Sequence, residues 1–161
     1  MGSNQDVRRG TGHAQHVVVM LEQVTPKLDS VLETSLYVDD LERAARFYGE
    51  VLGLKALTSD QRFHAYDVGG RSVLLIFRRG FTLETVRMPG GTIPPHDGHG
   101  PLHVAFAIGR DELAEWEARL AAHGIAIEGR TKWSRGGESV YFRDPDGHLL
   151  ELATPGLWAI Y

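Results

Sequence analysis

The chain has 161 residues, 42% of them hydrophobic and 24% charged, with a formal net charge of -4. That is the composition of one globular domain, or of two small half-domains sharing a core, and it lacks the basic footprint of a nucleic-acid binder. There is no cysteine, which excludes disulfides, thiolate metal sites and cysteine nucleophiles and leaves any metal to His and carboxylate.

Residues 1–28 form a polar, Gly-rich leader, expected to be partly disordered, apart from "HVVVMLEQV", which suits either an extra strand or a short docking helix. The opening "MGSNQDVRRGTGHAQ" lacks the apolar core of a signal peptide, and no apolar run approaches the roughly 20 residues of a membrane helix, so a cytoplasmic protein without membrane partner is expected.

From residue 31 the order is regular. "VLETSLYV" alternates as a strand, with Leu32, Leu36 and Val38 on one face and Glu33, Ser35 and Tyr37 on the other. In "DDLERAARFYGEVLGL", Asp39 and Glu42 form a capping-box pattern. Leu41, Ala44, Tyr48, Val51 and Leu52 then fall at helical spacing, and Gly53 suits a stop. "KALTS", "FHAYDV" and "RSVLLIF" are predicted strands, the last two joined as a hairpin through Gly69-Gly70. This completes a first module over 29–80. Residues 81–100, with their turn-formers and prolines, are a linker or an active-site loop.

The second module, 101–155, repeats the order. "PLHVAFAI" is a strand and "DELAEWEARLAAHG" a helix with Leu113, Trp116 and Leu120 on one face. "IAIEGR", "SVYFRD" and "HLLELAT" are strands, the last two turned by Asp144–Gly147. The apolar tail 156–161 suits either a subunit interface or packing on its own chain. Glu33 and His103 are separated by the same interval, to within one residue, as the helix-ending Gly53 and Gly124. Self-similarity at this scale points to two tandem βαβββ units, an α+β fold whose curved sheets surround a cleft, with the helices outside.

Strand parity then selects the cleft face. Leu102, Val104, Phe106 and Ile108 belong under the helix, and His103, Ala105 and Ala107 point away. Leu150 and Leu152 go under, and Glu151 points away. Glu33, His103 and Glu151 therefore share the cleft face. Two carboxylates brought together resist joint ionisation, and a divalent cation removes the conflict. Their O/N donor set suits Mn, Fe, Ni, Co or Zn and leaves positions open for substrate oxygens. Ser35, Tyr37, Tyr141 and Arg143 have the same parity and are candidate substrate contacts. Arg143 suits either an anionic substrate group or a partner in its own turn. His64, His96 and His99 are placed to line the mouth, and Phe63 and Trp133 suit an aromatic wall or the core.

"LETSLYVDDLERAARFYGEVLGL", "GPLHVAFAI" and "YFRDPDGHLLELATP" together resemble the vicinal oxygen chelate superfamily, the glyoxalase/bleomycin resistance/dioxygenase fold. The resemblance spans about 31–155. It implies paired βαβββ modules, a homodimer, and a metal held by the first and last strands. Glu33, His103 and Glu151 match three ligand positions, and the fourth falls at Leu74 or Leu75, neither of which binds metal. The four-ligand glyoxalase I set is therefore incomplete. Fosfomycin-resistance enzymes usually carry His where Glu33 stands, and extradiol dioxygenases differ further.

The implied function is a divalent-metal-dependent enzyme, isomerase- or lyase-like before dioxygenase, acting on a small oxygen-rich substrate chelated through vicinal oxygens. Glu33 is the candidate base, and the site is either within one chain or shared between two. The alternative is a metal-free, bleomycin-resistance-like protein that sequesters a drug or metabolite.

Overall fold

A computed structural model describes residues 25–161. The segment "HVVVMLEQV" lies outside the described residues. Residues 25–30 are exposed and carry no regular element. Among the described residues no helix is long and apolar enough to cross a membrane.

Between Val31 and Tyr161 the two modules appear in the expected order. The first has β1 (Glu33–Val38), α1 (Leu41–Ala45), β2 (Lys55–Ser59), β3 (Phe63–Val68) and β4 (Ser72–Arg78). Two short strands follow, β5 (Val86–Met88) and β6 (Gly91–Ile93). The second module has β7 (His103–Ala107), α2 (Leu113–Ala122), β8 (Gly129–Lys132), β9 (Glu138–Arg143) and β10 (Leu149–Ala153). Each module closes a four-stranded sheet of the same topology, β1-β4-β3-β2 and β7-β10-β9-β8. In both, the first and last strands pair in parallel, as they must when a helix and a meander separate them.

Four local expectations change. The N-cap of α1 is Asp40, whose carboxylate accepts from the Arg43 N–H at 3.0 Å. Asp39, one residue earlier, instead holds the Arg79 guanidinium. The helix does not continue as a regular α-helix: Arg46–Val51 is π-helical, with the Leu52 N–H reaching the Phe47 carbonyl. The wider turn lets the adjacent Phe47 and Tyr48 both enter the core along with Val51 and Leu52. The strand predicted at 125–130 pairs only from Gly129, because Ile125 and Ile127 pack on the core as an approach segment. The 81–100 linker contains the β5–β6 hairpin, turned at Pro89-Gly90.

One core serves both modules. Leu36, Val38, Leu74 and Ile76 from the first sheet join Val140, Phe142, Leu150 and Leu152 from the second, with Tyr48 and Leu120 from the two helical segments. Polar bonds cross the same boundary. His148 is fully buried; its Nδ1 accepts from the Leu102 N–H at 3.0 Å and its Nε2 donates to the Tyr37 carbonyl at 2.8 Å. Tyr48 donates its hydroxyl to Asp144 at 2.8 Å, and Asp144 also accepts from the His148 N–H at 2.8 Å. Burial, then the Asp144 charge, push the Tyr48 phenol far above its usual range, so it stays a donor. The Asp39 N–H and Arg43 are held by Asp146, and Arg119 of α2 donates to the carbonyls of Glu50 and Val51 at 2.7 and 2.6 Å. The tail folds on its own chain: the Tyr161 hydroxyl reaches the carbonyls of Ile108 and Ala153, while Trp158 and Ile160 stay exposed.

Removing a buried partner strands the group it satisfied, at about 1–3 kcal/mol for each. Tyr48→Phe is expected to lose about 1–3 kcal/mol, and His148→Ala more, because it strands both Leu102 N–H and Tyr37 C=O and leaves a cavity. Urea unfolding of both variants checks this order.

Candidate metal and substrate site

The parity expectation holds in both sheets. In β7, Val104 and Phe106 pack on the core, while His103, Ala105 and Ala107 are exposed. In β1, Leu36 and Val38 are core, while Glu33, Ser35 and Tyr37 line a cavity on the other face; Leu32, expected on the core face, precedes the strand and is exposed. The register also resolves the fourth ligand position. Glu33 pairs with Val73 as His103 pairs with Leu149, so the counterpart of Glu151 is Leu75.

The second module brings two predicted ligands together. His103 Nε2 lies 3.3 Å from Glu151 Oε2, and His103 Nδ1 lies 3.0 Å from the Leu149 carbonyl. A carbonyl only accepts, so Nδ1 carries the proton in that bond and Nε2 turns its lone pair toward the carboxylate when the ring is neutral. This is the arrangement in which a backbone carbonyl orients a metal-ligating imidazole. Glu151 is almost fully buried, at 4% exposure, yet only its Oε1 is engaged by a neutral donor, the Tyr141 hydroxyl at 3.2 Å. Burial, then the Glu151 charge, raise the Tyr141 phenol above its usual range and keep it a donor. A buried carboxylate facing an imidazole nitrogen fits a divalent cation bound between them.

Glu33 does not join them. Among the described residues no three His, Asp or Glu side chains gather to hold a metal. Glu33 is exposed at the start of β1 and lines a cavity of about 530 Å³ built from the first module and the loop that follows it. Among the described residues, the His103–Glu151 pair thus stands on one sheet and Glu33 on the other.

The cavity beside Glu33 is walled by Ser35, Tyr37, Phe63, Leu75 and Phe77, and covered by Thr82, Ile93, Pro94 and His96. Tyr37 is buried, and its hydroxyl and His96 Nδ1 are 2.5 Å apart. The His96 ring stands edge-on to Phe77 at 4.8 Å. Thr82 and His96 bond each other's backbone, which straps the loop down. The lining roles of Leu75, Phe77, Thr82, Ile93 and Pro94 were not read from the sequence. The "MPGGTI" turn with its flanking Val86 and Ile93 was the available signal for the hairpin that positions them.

The remaining candidates fall elsewhere. Arg143 is held by Glu128 and by the Gly147 carbonyl, both at 3.0 Å, so its guanidinium braces the hairpin rather than standing free. His64 shares the parity of core Tyr66 and lies on the helix side of its sheet; desolvation lowers its pKa. His99 is exposed beside Asp97. Trp133 donates to Ser139 at 2.8 Å and does not line the cavity.

Residues 27–152 match the model of the Glyoxalase/Bleomycin resistance protein/Dioxygenase superfamily. The chain belongs to this superfamily. It is 29% identical over 128 residues to metallothiol transferase FosB of Staphylococcus saprophyticus, covering 79% of this chain and 78% of the relative. It is 32% identical over 118 residues to the FosB of Lysinibacillus sphaericus, covering 73% and 76%. The crystal structure of lactoylglutathione lyase from Agrobacterium tumefaciens superposes with a TM-score of 0.75 at 32% identity, over 83% of this chain and 99% of that one. The glyoxalase-type α+β architecture of paired modules is therefore shared with these relatives.

Gly98 packs against the face of Tyr37 so closely that an added Cβ collides with the ring. Gly98→Ala is expected to cost about 1–3 kcal/mol and to free His96 from Tyr37. Thermal unfolding, with the His96 ring resonances followed by NMR, checks both.

Proposed function

We propose that the protein is a divalent-metal-dependent enzyme of the glyoxalase type, isomerase- or lyase-like, acting on a small substrate with two adjacent oxygens. The observation that carries this is the His103–Glu151 pair, with the imidazole oriented by the Leu149 carbonyl. The names of the relatives, a metallothiol transferase and a lactoylglutathione lyase, agree with it. The site is completed by two copies: His103 and Glu151 from one chain, Glu33 from the other. Two facts support the sharing. The His103 face is open, and Glu33 sits on a separate sheet of the same chain. Cyclic dimers bring unlike patches of two identical chains together twice, which makes two such sites.

A cation held there supplies Lewis acidity, stabilising negative charge that develops on the chelated oxygens. The chain's own residues do the rest. Tyr141 orients Glu151, and Ser35 and Tyr37 present hydroxyls from the strand that carries Glu33. Glu33, exposed and with no hydrogen-bond or ion-pair partner among the described residues, is the group that moves a proton. Leu75, the register counterpart of Glu151, would offer a bound cation no donor, so substrate oxygens or water would have to supply it.

Metal analysis of the purified protein tests this. Near-stoichiometric metal is expected, lost in Glu33→Ala, His103→Ala and Glu151→Ala. Co-expressing Glu33→Ala with His103→Ala is expected to restore about a quarter of the wild-type content, because random pairing gives one intact site in half of the dimers. Restoration to nothing would place the site within one chain. A metal-free protein, with the three variants alike in ligand binding, would favour the sequestering reading. Glu33→Gln is expected to keep metal and slow turnover by about a hundredfold or more; unchanged turnover would remove the base role.

A further inference from the structure

The two site faces are twins in topology and opposites in surface. Across the first sheet, Tyr37 pairs with Phe77 and Phe77 with Phe63, so three rings stand in one row over three strands. Tyr37 stacks on Phe77 at 5.8 Å between centroids, and Phe63 lies 5.3 Å from Phe77. The equivalent row of the second sheet is Ala107, Ala153 and Ser139. One row nearer Glu33, Leu75 stands where the second module has Glu151. The floor of the cavity is thus apolar and aromatic at the positions where its twin is small or acidic.

Charge narrows the guest further. Among the described residues, the charged side chains lining the cavity are Glu33, Glu84 and Arg62. Arg62 is already paired with Asp60 at 3.2 Å. A compact anion such as a phosphonate needs positive charge as well as donors around its body; beside the hydroxyls of Ser35 and Tyr37 and the His96 ring stand two carboxylates and one guanidinium already engaged by Asp60. A flat ring instead meets faces and edges, with His96 edge-on above Phe77, and aromatic contacts of that kind add to the area they bury.

We propose that the body of the substrate seated on the first module is a planar aromatic ring, uncharged or cationic, lying on the Tyr37–Phe77–Phe63 row. The reading of the metal site places the reacting oxygens at the Glu33 end and is relied on for that orientation; the ring seat itself is a property of the first module.

The test is equilibrium dialysis of the full chain with naphthol, naphthylmethylammonium and methylphosphonate, with metal content measured on the same samples. Both naphthyl compounds are expected to bind and methylphosphonate to bind at least tenfold more weakly. Phe77→Ala and, as a second disruption that removes no ring, Leu75→Glu are each expected to weaken naphthol binding by about tenfold. Trp158→Ala, remote from the cavity, is expected to leave it unchanged. Methylphosphonate binding as tight as naphthol, or naphthol binding within twofold of wild type in both cavity variants, overturns the proposal. Naphthol binding retained in His103→Ala supports a seat independent of the metal. Naphthol bound by a chain without metal supports the seat while removing the metalloenzyme reading; metal bound without naphthol removes the seat alone.

Discussion

The buried imidazole of His148 is the interaction on which the Tyr37 cavity and the His103–Glu151 pair both depend. It accepts from Leu102 and donates to Tyr37, joining the residue before His103 to a residue of β1. Its own neighbour Leu149 closes the loop: the Leu149 N–H donates to the Leu102 carbonyl, and the Leu149 carbonyl orients His103. Only His supplies a donor and an acceptor on opposite edges of one flat ring, so it satisfies two backbone groups from different modules at once. Asp144 holds the turn that presents it, and Tyr48 anchors Asp144 to the first module. The Tyr37 ring in the cavity and the His103–Glu151 pair are thus set by one polar junction, although they lie on different sheets.

The modules show what a repeated unit retains and what it is free to change. The helix-side face of each sheet feeds a common core, and there the residues remain large and apolar in both copies: Leu36 and Val38 against Phe106 and Ile108, Leu74 and Ile76 against Leu150 and Leu152. The opposite faces are not bound by that packing. Glu33 answers His103, Leu75 answers Glu151, and the row of three rings answers two alanines and a serine. The His103–Glu151 pair and the row of rings are consequently divided between two sheets of one fold. Joining them is the work of a second copy in the proposed function.

Much of this was legible in the residues. The period-two alternation of β1 and β7 separated core from site, because each of those strands carries its apolar set on one parity. The paired modules followed from the repeat. The losses were local. Asp39 and Asp40 are equivalent as caps by sequence, and the competition was decided by Arg79 and Asp146, which engage Asp39. The π-helical turn has no sequence signature of its own; it exists because Phe47 and Tyr48 both find room in the core. Arg143 suited either a substrate anion or a partner in its own turn, and the choice fell to Glu128, on the segment before β8, and to the Gly147 carbonyl of the turn.

By itself the sequence determined the α+β repeat, the face on which Glu33, His103 and Glu151 stand, and the chemistry available there: His and carboxylate, and no thiol. Those follow from short-range periodicity and residue type, which need no knowledge of distant contacts. Only the tertiary structure decided that His103 meets Glu151 and that Glu33 stays apart. The same is true of the choice of Leu75 over Leu74 as the counterpart of Glu151, and of the covering of the cavity by the hairpin loop. Each of those depends on strand register and on how two sheets pack about one core, and register is a relation between segments that neither segment carries alone.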